Sequence, residues 1–144
     1  MDSAAGIGIS RDGAALFVTG RSLGAGSSFD YATVAYDAAT GDQGCVSRYN
    51  GPANDIDVPR AMTISPDGGE VLVTGVSAGT DNPDDAATVA YGTSTGKRLW
   101  VRRYNDVWAD AVAPSPDESK LFVSGNTVNG GNDADWITIA YGVP

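Results

Sequence analysis

The chain has 144 residues, 42% of them hydrophobic, which suits one domain with a real core and is too many for a disordered chain. Eighteen acidic residues against nine basic ones give a formal net charge of −9, which opposes binding to nucleic acid, and no run approaches the roughly 20 apolar residues of a membrane-spanning helix. There is no histidine, which excludes Ser-His-Asp and Cys-His catalysis in their usual form and His-ligated zinc or copper. Neither a haem nor a zinc-finger site is expected, and Cys45 is alone, so no intrachain disulfide forms.

The N-terminal Met1-Asp2-Ser3-Ala4-Ala5 has no basic region followed by an apolar one, so no export signal is read; the chain stays inside the cell or was cut from a longer precursor. A first strand, a, is predicted near Ile7 to Ser10, followed by a turn at Ser10-Arg11-Asp12-Gly13. Strand b falls near Leu16 to Gly20 and strand c near Tyr31 to Asp37. Ala39-Thr40-Gly41 then turns the chain into strand d, near Cys45 to Asn50.

The same elements then recur. Ser65-Pro66-Asp67-Gly68 and Ser115-Pro116-Asp117-Glu118 repeat the first turn, at offsets of 55 and then 50 residues. Strand b returns as Val71-Leu72-Val73-Thr74-Gly75 and Leu121-Phe122-Val123-Ser124-Gly125. Strand c returns as the run from Asp85 to Tyr91 and the run from Asp135 to Tyr141. Strand d returns once, as Val101-Arg102-Arg103-Tyr104-Asn105 after Trp100, where the first copy has Cys45. The third copy stops at Tyr141-Gly142-Val143-Pro144 without a strand d. No extended 3.6-residue apolar period occurs, so the chain is expected to be all-β. The repeats divide it into residues 1–50, 51–105 and 106–144 of one repeat domain. A β-sandwich with accidental similarity is the alternative, but sandwich strands do not repeat as a four-strand unit.

The succession S-P-D-G, VxVTG, DYATVAYD-AATG, a Trp and RYNGP resembles the bacterial, actinobacterial-type β-propeller repeats of the quinoprotein-like and WD-like superfamily, over essentially the whole chain. The resemblance implies a fold more than a function. It implies four-stranded blades, here as a three-blade arc, and the resembled family is largely secreted. Propellers close with four to eight blades, so an arc leaves two apolar blade faces bare. Two arcs would complete a six-bladed ring, and a homodimer is therefore expected; alternatively the chain is a three-blade fragment of a longer propeller, an origin that the truncated last blade favours, and both can hold. The edge of strand c in the third blade would invite another strand.

Up-and-down strands place the d-to-a and b-to-c loops on one face, which collects most of the acids. Asp2, Asp57 and Asp110 are read as lying just before strand a, around the mouth of the ring, where carboxylates attract cations. Oxygen ligands suit Ca²⁺ or another hard divalent cation such as Mg²⁺ or Mn²⁺. The loop Asp81-Asn82-Pro83-Asp84-Asp85 is the densest oxygen cluster, and Asn129-Gly130-Gly131-Asn132-Asp133 is its looser relative. Asp30, Asp85 and Asp135 recur at one position and are expected to accept backbone N–H bonds, while Tyr36, Tyr91 and Tyr141 are expected to pack between blades.

The leading functional expectation is a self-assembling scaffold that binds a cation, small ligand or partner on this acidic face, with Asp2, Arg60, Asp81 and Asp84 in contact. The alternative is a divalent-metal-dependent hydrolase of the lactonase or phosphotriesterase type, with Asp57, Asp110 and Asp85 as ligands and Arg60 steadying an anionic intermediate. A quinone-cofactor dehydrogenase rests on fold analogy alone and would need a larger closed propeller.

Overall fold

In the computed structural model, which describes residues 1–81, 84–128 and 134–143, the chain folds into eleven strands and no helix. Unit 1 is β1 (Ser3–Ile9), β2 (Ala15–Leu23), β3 (Phe29–Asp37) and β4 (Gln43–Tyr49). Unit 2 is β5 (Asp57–Ile64), β6 (Glu70–Ser77), β7 (Asp85–Gly92) and β8 (Arg98–Tyr104). Unit 3 is β9 (Val107–Pro114), β10 (Lys120–Thr127) and β11 (Trp136–Gly142). Each unit is an antiparallel sheet in which every strand pairs with its sequence neighbours, so sequence order is spatial order.

The turn between the first two strands of each unit is built by its serine and aspartate. In unit 2 the Ser65 hydroxyl donates to Asp67 (2.6 Å) and accepts the Glu70 N–H (2.9 Å), while Asp67 accepts the Gly69 N–H (2.8 Å). Ser10 with Asp12 and Ser115 with Asp117 repeat the contact, each at 2.6 Å. The turn needs a positive φ at its fourth residue, which Gly13 and Gly68 take without strain and Glu118 takes at 60°.

A second repeated device sits in the inner strands. Each of β1, β5 and β9 carries a β-bulge, whose extra residue is Ala5, Arg60 and Asp110 respectively. Opposite each bulge stands the glycine that closes strand b: Gly20, Gly75 and Gly125. A Cβ on Gly75 would lie 2.2 Å from the Val58 carbonyl oxygen, and one on Gly125 would lie 1.9 Å from that of Trp108. The bulge thus explains why glycine ends that motif every time. It also explains why strand a begins earlier than expected: β1 starts at Ser3, with the small Ala4-Ala5-Gly6 at the bulge rather than before the strand.

The sheets stack face to face, and alternation along each strand assigns its residues to the two faces. Phe17, Tyr31 and Tyr49 of unit 1 pack on Val71, Val73, Ala87, Val89 and Tyr91 of unit 2. On the opposite face of unit 2, Leu72, Ala86 and Ala90 pack on Val107, Ala109, Leu121, Val123 and Ile139 of unit 3. Every unit therefore has a front face (Phe17, Leu72, Phe122) and a back face (Leu16, Val71, Leu121), and fronts meet backs. Buried hydroxyl pairs, Thr19 with Thr33 (3.0 Å) and Thr74 with Thr88 (2.8 Å), tie strand b to strand c inside the stack. The outer faces remain open: Ile7, Ile9 and Val46 are exposed on the back of unit 1, and Phe122 and Trp136 on the front of unit 3.

Candidate functional site

The expected acidic residues fall into two separate groups, and among the described residues no three His, Cys, Asp or Glu side chains converge as a metal site. The first group lies at the junction of units 1 and 2. Asp57 opens β5 and is fully buried. Its Oδ2 accepts the Gly51 N–H at 2.6 Å, and its Oδ1 has no hydrogen bond of ordinary geometry among the described residues. Burial raises its carboxyl pKa, against the opposing pull of the Ser77 hydroxyl, the Gly51 N–H and the Arg103 guanidinium.

Arg103 organises the rest of this group. From β8 it pairs with Asp85 at 2.7 Å, donates to the Ser77 hydroxyl and the Tyr49 hydroxyl at 2.6 Å each, and reaches the Ala78 carbonyl at 3.2 Å. Tyr49 comes from unit 1, so the network bolts one unit to the next. The strand registers place Asp2, Ser22, Asp30 and Arg48 of unit 1 where unit 2 has Asp57, Ser77, Asp85 and Arg103. With no unit stacked behind it, the first set is looser: Arg48 lies 3.9 Å from Asp30, and Asp2 accepts from Ser22 (3.1 Å) and the Leu23 N–H (3.2 Å). The Leu23 N–H, with Ser22, lowers the Asp2 pKa.

This arrangement corrects two expectations. Asp85 is held by an arginine side chain rather than by the expected backbone N–H groups, and Asp30 accepts from the Ser27 hydroxyl beside Arg48. Asp110 does not precede strand a; it is the bulge residue inside β9, equivalent to Arg60 and Ala5, and the position that matches Asp57 is Val107.

The second group surrounds that bulge. Arg60 donates to Asp110 at 2.5 Å, and Asn126 donates to the other carboxylate oxygen at 3.0 Å. The Arg60 guanidinium also covers the Trp108 ring, 5.6 Å from its centroid, while the Trp108 indole N–H donates to Asp84 at 3.1 Å. A cleft of about 500 Å³ opens beside them, lined by Arg21, Asp55, Arg60, Asp84 and Trp108 over an apolar floor that includes Val58. Arg21 stacks on Phe29 at 5.0 Å, and its Nε is buried without a hydrogen-bond partner among the described residues.

Of the expected contact residues, Arg60 and Asp84 therefore share one cleft, Asp2 lies apart on unit 1, and Asp81 lines a shallower hollow with Asp85, Arg103 and Asp106. Asn82, Pro83 and the segment Asn129 to Asp133 lie outside the described residues. Sequence reasoning missed Trp108, Asn126 and the Tyr49–Arg103 bond. The recurrence of Arg-Tyr at Arg48-Tyr49 and Arg103-Tyr104 was the available signal for the last.

No protein-family profile and no curated protein sequence matches the chain. Among solved structures it is similar to hydrazine synthase of Kuenenia stuttgartiensis, with a TM-score of 0.66 and 19% identity over 84% of this chain. The match spans 31% of that protein's chain, and at this identity it speaks for the fold alone.

Proposed function

We propose that the three units are blades of a β-propeller and that the protein is a ring-forming scaffold, completed by a second copy into six blades, which binds a ligand at the cleft beside Arg60 and Trp108. The observation that supports this is the match between its open faces. The front of unit 3 repeats the fronts that bury Phe17 and Leu72, and the back of unit 1 repeats the backs that receive them. Trp136 is 80% exposed and Ile7 67%, where their counterparts inside the stack are covered. Apolar faces of this kind are covered by stacking in repeat proteins.

Ultracentrifugation across a dilution series tests the ring. The wild type sediments as a dimer, while Phe122→Asp and Ile9→Asp, which spoil opposite faces, each sediment as monomers. Mixed together, the two variants recover a dimer, because one intact front still meets one intact back. A wild-type monomer at high concentration defeats the proposal.

At the mouth, Asp85 and Asp110 are each paired with a guanidinium, so a metal bound there would have to displace an arginine. The arrangement therefore favours ligand binding over metal-dependent hydrolysis. Asp81 and Asp84, with Asp55 and Asp106 lining the same two hollows, are the carboxylates there that no described guanidinium engages. A saturable rise in the melting midpoint on Ca²⁺ titration supports cation binding there, and a flat response removes it.

A further inference from the structure

The cleft beside Arg60 and Trp108 takes side chains from all three units: Arg21 from β2, Val58, Arg60 and Val76 from β5 and β6, and Trp108 from β9. These are positions at which the repeat breaks. By strand register Arg21, Val76 and Asn126 are equivalent, as are Ser3, Val58 and Trp108, and as are Ala5, Arg60 and Asp110. The positions just before Arg21 and its equivalents keep their type: Thr19, Thr74 and Ser124, then Gly20, Gly75 and Gly125. Stacking of the units fixes the second kind of position and leaves the first free to serve a ligand.

The charges lining the cleft are unevenly served. Arg60 donates to Asp110, Asp84 accepts from the Trp108 indole N–H, and Asp55 accepts the Ile56 N–H at 2.8 Å. Arg21 has neither an acceptor nor an ion pair among the described residues. Its stacking on Phe29 and its buried Nε hold the guanidinium in place, which leaves the terminal nitrogens as donors to the cleft. A held cation without a counter-ion, beside the apolar floor of Val58 and Val76, suits an anion with an apolar body. Asp55 and Asp84 line the same cleft, and their repulsion grows with the charge of the ligand, which favours a single carboxylate over a phosphate.

We propose that this cleft binds a small monocarboxylate with an apolar body. The carboxylate pairs with the Arg21 guanidinium, and the body lies on Val58 and Val76 beside Trp108. This names the ligand class of the cleft and rests on the reading that the cleft binds a ligand. It does not need the ring, because every residue belongs to one chain.

NMR titration of the full chain tests it, with the Trp108 indole N–H and the Val58 and Val76 amides as reporters. The probes are 3-phenylpropionate, phenethylamine (a similar body with the opposite charge) and inorganic phosphate (negative charge without a body). The expected result is a saturable shift of all three reporters with 3-phenylpropionate, and binding at least about tenfold weaker with the other two. Arg21→Gln weakens 3-phenylpropionate binding about tenfold, whereas Arg98→Gln, at an exposed arginine of β8 outside the cleft, leaves it unchanged. Phenethylamine or phosphate binding as tightly at these reporters, or no larger loss in Arg21→Gln than in Arg98→Gln, overturns the carboxylate assignment while the cleft still binds a ligand. No shift at Trp108 with any of the three probes at millimolar concentration overturns both readings.

Discussion

Units 1 and 2 carry the same four polar side chains at the same four positions, yet the two sets are not equivalent. In unit 2, Arg103 and Asp85 sit 2.7 Å apart with side chains 21% and 14% exposed; in unit 1, Arg48 and Asp30 sit 3.9 Å apart, with Arg48 43% exposed and Asp30 7%. The difference is the neighbour. Tyr49 of unit 1 and Gly51 in the loop after it close over the unit 2 set, and among the described residues no preceding unit does the same for the unit 1 set. Identical sequence motifs thus give a tight, many-partnered pair in one place and a loose one in the other, although Asp30 is itself buried, because the neighbour that reaches the arginine rather than residue identity sets the strength of the interaction.

The sharpest way to break the comparison is to remove both arginines in turn. Arg103→Ala leaves the half-buried Asp85 and the buried Ser77 without their cation and should cost about 3 kcal/mol in urea unfolding. Arg48→Ala should cost less than about 1 kcal/mol. Equal losses would show that the neighbour does not matter. Next comes the cover itself. A Cβ on Gly51 would meet the Ser77 hydroxyl at 2.3 Å and Asp57 Oδ1 at 2.7 Å, so Gly51→Ala should cost about 2 kcal/mol by overpacking. Tyr49→Phe, which deletes one bond to Arg103 and keeps the ring, should cost about 1 kcal/mol.

The smallest effect is a pH dependence. Burial raises the Asp57 pKa above its ordinary 3.8, so the folded protein holds this proton more tightly than the unfolded chain does. The stability contributed by the group is complete below 3.8 and declines as pH rises through the folded value. Asp57→Asn lacks that decline, so the variant should gain stability relative to the wild type between pH 4 and pH 7. Asp2, Asp12, Asp37, Asp67 and Asp117 are shifted downward instead, and they lose stability in both proteins as pH falls below the ordinary value. Their contribution cancels in the comparison. Urea midpoints of the two proteins at several pH values provide the measurement.

Much of the fold was legible because each repeat announces itself with chemistry that only local geometry demands. The Ser-Pro-Asp-Gly turn, the strand-ending glycine and the alternating Val, Ile and Thr all mark strands whose partners are their sequence neighbours. The bulge was not legible, since Ala5, Arg60 and Asp110 share no residue type; only the glycine opposite betrayed it. The candidate site was read less well for the same reason. Sorting residues by loop put Asp84 and Arg60 on one side of the sheets, and they line one cleft, but it could not tell that Asp57 is sealed beneath Gly51. It also could not tell that Asp85 is engaged by an arginine 18 residues further along the chain.

The bulge has a consequence for how this molecule can change. Ala5, Arg60 and Asp110 are all exposed and lie outside the two stacked cores, while a glycine across the ladder absorbs the kink whatever side chain the bulge carries. One position per repeat is therefore open to substitution without disturbing the stacked cores, although a change at Arg60 or Asp110 removes the ion pair between them. New surface contacts can be acquired there one residue at a time.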